Sequence, residues 1–277
     1  VINSQGAFFV AASNYYLQSK EKVVVLDRFD VLRDCDMSFL KKLFLLCVVY
    51  TLALPIGANA VQHYKEFPNL TVVNHPLVQH KLTILRDKNT STYLFGQLLN
   101  EIALLVGYEV TGKLKMQDIK IETPVAPMVG KQVAESDIVI VPILRAGLGL
   151  ANGLHQLIPA ARQGHIGVYR DEETKKPKEY YFKVPKSNDK SFYIVVDPML
   201  ATGNSAVYAV DKLIKFGIPA DKIIFMALVA APEGVREFQK QHPSIQIFAA
   251  ALDEKLNDKS YIVPGLGDAG DRLFGTR

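Results

Sequence analysis

"YIVVDPMLATGNSAV", Tyr193 to Val207, joins an apolar run to an amphipathic segment through an acid, a proline and a loop of small residues. Tyr193 to Val196 read as a strand, with Asp197 at its carboxyl end. Beyond the loop Ala206, Val210, Leu213 and Ile214 recur at helical spacing, so Ala201-Thr202-Gly203-Asn204-Ser205 opens a helix. Unpaired N–H groups at a helix start, flanked by the Thr202 and Ser205 hydroxyls, suit a phosphate monoester. An ordinary strand-to-helix turn, with one of those hydroxyls simply capping the helix, fits the same letters. The loop is not G-x-x-x-x-G-K-[S/T], so triphosphate hydrolysis is unsupported, and it is not G-x-G-x-x-G either.

Outward from this stretch the chain repeats the same alternation. Apolar runs recur at Asp137–Leu144, His165–Tyr169, Ser191–Asp197, Asp221–Ala231 and Ile245–Leu252, none with strict polar alternation. Such runs are expected of strands buried on both faces. Helical spacing marks Ser91–Tyr108, with Ser91 as N-cap, and Leu148–Leu157, Asn204–Phe216 and Glu233–Gln241. Strand–helix alternation predicts an α/β fold, a doubly wound and mainly parallel sheet, whose ligands bind beyond the carboxyl ends of the strands.

Unusual segments stand at those ends. "VPILRAGLGL" stops a buried strand at Arg145-Ala146-Gly147, where a guanidinium and free backbone N–H groups can approach a dianion. A salt-bridged arginine at a strand end is the plain alternative. "IGVYRDEETKKPKEYYFKVP" places Arg170 after a strand, at the base of a charged flap, and "EYYFKV" reads as a returning arm. The charged tip reads as solvated hairpin, whereas Arg170 is positioned to clamp phosphate. "SYIVPGLGDAGDRLFGTR" has four glycines and two aspartates and reads as a loop, not a regular element. Its free backbone groups can read a flat heterocycle whose edge alternates acceptor, donor, acceptor. Ile262, Leu266, Leu273 and Phe274 call for burial and argue against a floppy tail.

Composition narrows the classes. The 277 residues are 49% hydrophobic and 22% charged, enough for a sizeable core, and the net charge is only +4. No Lys/Arg-rich tract is present, so charge indicates neither nucleic acid nor a membrane surface as partner. Two cysteines, Cys35 and Cys47, precede a cysteine-free remainder, which excludes a disulfide framework or thiolate metal site there. His75 and His80 share no face in "HPLVQH" and read as capping or solvent-facing residues. From Met37 the chain has a basic start, an apolar run and Ala58-Asn59-Ala60, the layout of a secretory signal. A buried N-terminal helix is the alternative. Before it lies one plausible strand, "KVVVLDRF"; this stretch reads either as a genuine extension or as sequence upstream of the true start. Two parts result: an extension over 1–60 and the main domain over 61–277.

Together "VDPMLATG", "PILRAGLG", "YRDEET", "VAAPEG" and "YIVPGLGDAGDRLFGT" resemble the uracil phosphoribosyltransferases, of the type I phosphoribosyltransferase fold, from about Leu70 to Arg277. The resemblance implies a flexible hairpin arm and a small C-terminal base-binding hood. It implies conversion of uracil and 5-phosphoribosyl 1-diphosphate (PRPP) to UMP and diphosphate with Mg²⁺, in pyrimidine salvage. On it, PRPP would be held by Asp197, Pro198, Met199, Leu200, Ala201, Thr202, Gly203, Asn204 and Ser205. Asp197 would bind ribose hydroxyls and steady charge on the sugar, and Arg145 and Arg170 would bind diphosphate. Asp268 would reach PRPP through the metal or its waters. Ile262, Gly267, Asp268 and Ala269 would recognise uracil. The transition state would be oxocarbenium-like, so the protein supplies orientation and charge stabilisation. Losing a buried arginine from the diphosphate side would cost about 2–5 kcal/mol of transition-state binding.

The family also implies a homodimer or larger assembly and a GTP effector. Asn204 stands where these enzymes usually carry a second glycine, and asparagine tolerates the left-handed conformation expected there. PRPP is a cytosolic substrate, which implies a cytoplasmic protein; export or membrane tethering is the alternative if residues 37–60 act as a signal. A regulatory RNA-binding protein on the same fold would show a basic face and a degraded base loop, and the sequence shows neither. A phosphoribosyltransferase for a purine disagrees with the C-terminal loop.

Overall fold

The computed structural model describes residues 61–135, 137–170 and 177–276. The signal-like segment, the "KVVVLDRF" strand, both cysteines and the charged flap tip at 171–176 lie outside the described residues. In chain order the elements are β1 (Val61–His63), β2 (Leu70–Val73), α1 (Pro76–Arg86), α2 (Thr92–Thr111), β3 (Met116–Glu122) and β4 (Pro127–Val133). Then come β5 (Asp137–Leu144), α3 (Gly147–Leu157), β6 (Arg162–Gln163), β7 (His165–Arg170), β8 (Pro177–Lys183) and β9 (Ser191–Leu200). The chain continues through α4 (Asn204–Lys215), β10 (Ile223–Ala230), α5 (Pro232–Gln241), β11 (Gln246–Leu252), β12 (Lys255–Leu256), β13 (Ile262–Val263) and α6 (Ala269–Phe274).

One sheet runs in the order β1-β2-β11-β10-β9-β5-β7-β8, with β6 also beside β5. The pairs from β2 to β7 are parallel, and only β1 and β8 join antiparallel at the edges. Alternate side chains along each central strand enter opposite cores, as the two-residue period of a strand requires. Ile138, Ile140, Ile194, Val196, Ile224 and Met226 pack with α1, α2 and α3. Val139, Val141, Tyr193, Val195, Ile223 and Phe225 pack with α4 and α5 on the other face. Both faces are therefore covered, which is why these strands read as continuous apolar runs.

This topology fixes where a ligand goes. From β9 the chain crosses through α4 to β10 and onward to β11, while from β5 it crosses through α3 to β7 on the other side. The neighbours β5 and β9 are thus the switch point of the sheet, and their carboxyl ends open a crevice.

The strands and helices expected after residue 60 all occur, most within two residues of their sequence limits. Ser91 caps α2, its Oγ accepting the Leu94 N–H at 3.3 Å, and His75 caps α1, its ring accepting the Leu77 N–H at 3.2 Å. Three expectations need correction. Strand β9 does not stop at Asp197: Met199 and Leu200 continue the ladder against Val229 and Ala230. The C-terminal stretch is not loop throughout, since β13 pairs with β12 and α6 is a helix. Ile262 and Leu266 are buried as expected, but Phe274 stays 42% exposed. The β3–β4 hairpin, exposed along most of its length, gave no signal because neither face reaches a core. No helix of the described residues is long and apolar enough to cross a membrane.

Candidate active site

The β5 side of the crevice is Arg145-Ala146. The Leu144–Arg145 peptide is cis, and the Arg145 side chain is 58% exposed. Its guanidinium lies 5.6 Å from the Phe274 ring centre and 3.9 Å from Asp271 Oδ1. At that separation the two form a long ion pair rather than a direct hydrogen bond, and the Arg145 side chain stays largely exposed.

The β9 side carries Asp197, three residues before the strand ends. Burial against the sheet pushes its carboxyl pKa up to about 7, and a long hydrogen bond from the Met199 N–H, at 3.4 Å, offsets this only partly. A half-buried acid without a fixed cation is suited to receive donors or positive charge from a ligand.

After Leu200 the chain turns through Ala201-Thr202-Gly203 into α4. Gly203 holds φ +82° and no side chain caps the helix, so neither Thr202 nor Ser205 plays the capping part that an ordinary turn would give it. The first N–H groups of α4 have no intrahelical partner and open outward beside exposed Asn204 and Ser205. Asn204 is already helical; the left-handed position is Gly203, so the tolerance expected of Asn204 is not needed. The loop leans on the start of α5. A Cβ on Gly234 would lie 2.4 Å from the Ala201 carbonyl oxygen and 2.5 Å from that of Leu200. Only glycine lets the two backbones meet so closely.

The C-terminal stretch closes over this loop. Asp268 caps α6, its Oδ1 accepting the Asp271 N–H at 2.9 Å, and Gly267 takes φ +81° just before it. A cavity of about 240 Å³ is lined by Ile262, Gly267, Asp268 and Ala269 from this stretch and by Met199 and Ala201 from the β9 loop. Residues more than sixty positions apart in the chain thus line one cavity. Ala146, read from the sequence as part of the strand-end turn, lines it too, as do Ser260, Tyr261 and Gly270, which were not singled out; Ser260, at φ +64°, sits in a conformation that its identity does not announce. A wider cleft of about 620 Å³ continues past Gly267 and Asp268 to Arg86, Lys88 and Arg272.

Arg170 ends β7, its backbone opposite Pro177 of β8. Strand β7 neighbours β5, so Arg170 is on the same carboxyl edge of the sheet as Arg145. Among the described residues no group of three or more His, Cys, Asp or Glu side chains gathers to hold a metal.

A crevice at the switch point, with a phosphate-sized helix start on one strand end and an arginine on its neighbour, is the arrangement of a type I phosphoribosyltransferase. Residues 72–276 match the family model described as uracil phosphoribosyltransferase. A uracil phosphoribosyltransferase of Streptococcus suis (strain 05ZYH33) is 60% identical over 206 residues, 74% of this chain and 98% of that protein. That of Ralstonia pickettii (strain 12J) is 56% identical over 212 residues, 76% of this chain and 97% of that protein. Among solved structures, the AQ2163 protein from Aquifex aeolicus matches with a TM-score of 0.68 at 36% identity, over 74% of this chain and 97% of that one. The chain belongs to the uracil phosphoribosyltransferase family.

Proposed function

We propose that the chain transfers the 5-phosphoribosyl group of PRPP to uracil, giving UMP and diphosphate, with the domain over 61–277 carrying the chemistry. The observation that carries this reading is the shared cavity, where the base-side residues Ile262, Gly267, Asp268 and Ala269 meet Met199 and Ala201. The uncapped start of α4, from Ala201 to Ser205, holds the 5-phosphate. Pro198, Met199 and Leu200 set its distance from Asp197, which takes the ribose hydroxyls. Arg145 and Arg170 draw diphosphate to the opposite side of the sugar, with the β7–β8 pair as the arm that carries Arg170.

The new bond joins uracil N1 to ribose C1 as the bond from C1 to diphosphate oxygen breaks, and the N1 proton passes to the departing diphosphate or to water. Positive charge on the sugar makes ionised Asp197 worth most at that moment, which is differential stabilisation. The backbone of Ile262, Gly267 and Ala269 meets the base edge, and Ala269, as first residue of α6, has an N–H without an intrahelical partner. Mg²⁺ fits this donor set only as a passenger of the substrate. Among the described residues no third ligand joins Asp197 and Asp268, so these two carboxylates would at most steady a hard cation that arrived with the substrate. Bound there, it neutralises charge on the leaving group.

The exposed hairpin β3–β4 supports the assembly part of the reading. Ile121, Met128 and Val129 are apolar and solvent-facing on it, and Val125 is 94% exposed at its tip, a surface that a second copy would cover. A GTP effector belongs to the same family expectation, and the cytoplasm, where PRPP is made, is the compartment this reading assigns. The test of the reaction is direct. Incubation with uracil, PRPP and Mg²⁺ yields UMP and diphosphate in equal amounts, and absence of UMP from folded, PRPP-binding protein overturns it.

A further inference from the structure

At the far end of the wider cleft, beyond the base-side cavity, one ion pair grips the base-side loop by its backbone. Arg86, the last residue of α1, donates to Asp253 just past β11, from Nη1 to Oδ2 at 2.7 Å and from Nη2 to Oδ1 at 2.6 Å. The Asp253 side chain is only 5% exposed and that of Arg86 is 21% exposed. Both partners have a second task. Arg86 Nη1 also donates to the Gly265 carbonyl at 2.8 Å, and Asp253 Oδ2 also accepts the Gly265 N–H at 2.8 Å. The next carbonyl, that of Leu266, accepts from Arg272 Nη1 at 2.9 Å, while Arg272 also donates to the Asp87 carbonyl at 2.6 Å and lies over the Phe95 ring at 4.6 Å. Gly265 itself admits no side chain, since a Cβ would fall 2.1 Å from the Ile262 carbonyl oxygen.

We propose that Arg86 and Asp253 are positioning residues for base recognition, acting through the backbone of Gly265. Gly265 lies midway between Ile262 and Gly267, the two ends of the loop that faces the base. Fixing both its N–H and its C=O fixes the path between them, so the groups that read uracil are aimed before it arrives. Preorganised donors lose little on binding, whereas a loop free to wander must be ordered by the ligand. The helix that carries Arg86 and the strand that leads to Asp253 both pack into the core through their own apolar residues, whereas the loop they hold is a short glycine-rich turn. The proposal rests on the reading of the 240 Å³ cavity as the base site.

The test compares Arg86→Met, Arg86→Lys, Asp253→Asn and Ala269→Ile in the full chain by steady-state kinetics with each substrate varied, alongside thermal melting. Arg86→Met is expected to raise the KM for uracil by about 10–100-fold, the cost of an ångström-scale misplacement, with the KM for PRPP changed less than about threefold. Arg86→Lys keeps charge but cannot serve both Asp253 oxygens and the Gly265 carbonyl, so it should recover only part of that loss. Asp253→Asn keeps an acceptor for the Gly265 N–H and should fall between. An ion pair that serves stability alone would lower the melting temperature in these variants and leave the uracil KM where it was, or move both KM values together; either result overturns the proposal. If Arg86→Met does not fold, Arg86→Lys and Asp253→Asn decide by the same ratio. Ala269→Ile separates the premises. If it leaves uracil use intact, the cavity is not the base site and the proposal falls with that reading. If it abolishes uracil use while Arg86 and Asp253 variants keep a normal uracil KM, the positioning proposal alone falls.

Discussion

Asp197 is held in the folded chain with its pKa raised from 3.8 to about 7 by burial. The folded state therefore favours the protonated acid more than the unfolded state does. The stability this contributes is complete below pH 3.8 and is lost as pH rises toward and through about 7. Asp197→Asn removes that loss, so the unfolding free energies of the two proteins, measured by denaturant titration, should diverge above pH 4 and differ by a few kcal/mol at pH 8. Catalysis runs the other way. If Asp197 takes the ribose hydroxyls as proposed, it does so as the carboxylate, so kcat/KM for PRPP should rise with pH to a plateau above about 7, while the Asn variant is slow and flat. Arg145, 58% exposed in the free protein, gives up less than a buried arginine would. Its replacement by Ala should cost about 2–3 kcal/mol in kcat/KM, the low end of the range for a charge lost from a diphosphate. Asn204→Gly should change kcat/KM by less than about 0.5 kcal/mol, because Asn204 is an exposed, helical residue.

At the scale of elements, the Ala201–Ser205 loop, which we propose holds the 5-phosphate, leans on the start of α5. Gly234 at the start of α5 lets the Leu200 and Ala201 carbonyls approach, and Gly234→Ala must push one backbone away. Overpacking of this kind costs about 1–3 kcal/mol of stability. Titration calorimetry should show PRPP affinity falling by about 10–100-fold, as expected for a displaced phosphate cradle. Unchanged PRPP affinity would mean the loop is set by its own sequence.

This contact also marks where the sequence stops being legible. The strand–loop–helix of Tyr193 to Val207 was readable because burial writes apolar runs and helical spacing directly into the chain. The position of Arg145 just past β5 and of Asp197 near the end of β9 was readable because the apolar runs break there. The length of β9 was not, since Pro198 masks a ladder that Met199 and Leu200 resume. Helix α6 was hidden by glycines and aspartates that serve it as caps. The approach of Gly234 to Ala201, and that of Arg86 to Gly265, are tertiary facts with no local signal.

For the whole molecule, the exposed apolar hairpin β3–β4 predicts self-association. Replacing Ile121 and Val129 by Asp should reduce the mass measured by light scattering to that of a smaller species at micromolar concentration, and an unchanged mass would remove the hairpin from any interface. The central claim is a base-specific transfer carried by the domain over 61–277. Its most direct test measures Mg²⁺-dependent conversion of labelled uracil, cytosine and hypoxanthine with PRPP, in the full chain and in a chain starting at Val61. The account predicts UMP from uracil, no product from the other two bases, and activity in both chains. Turnover of cytosine or hypoxanthine, or none of uracil by folded protein that binds PRPP, would contradict it.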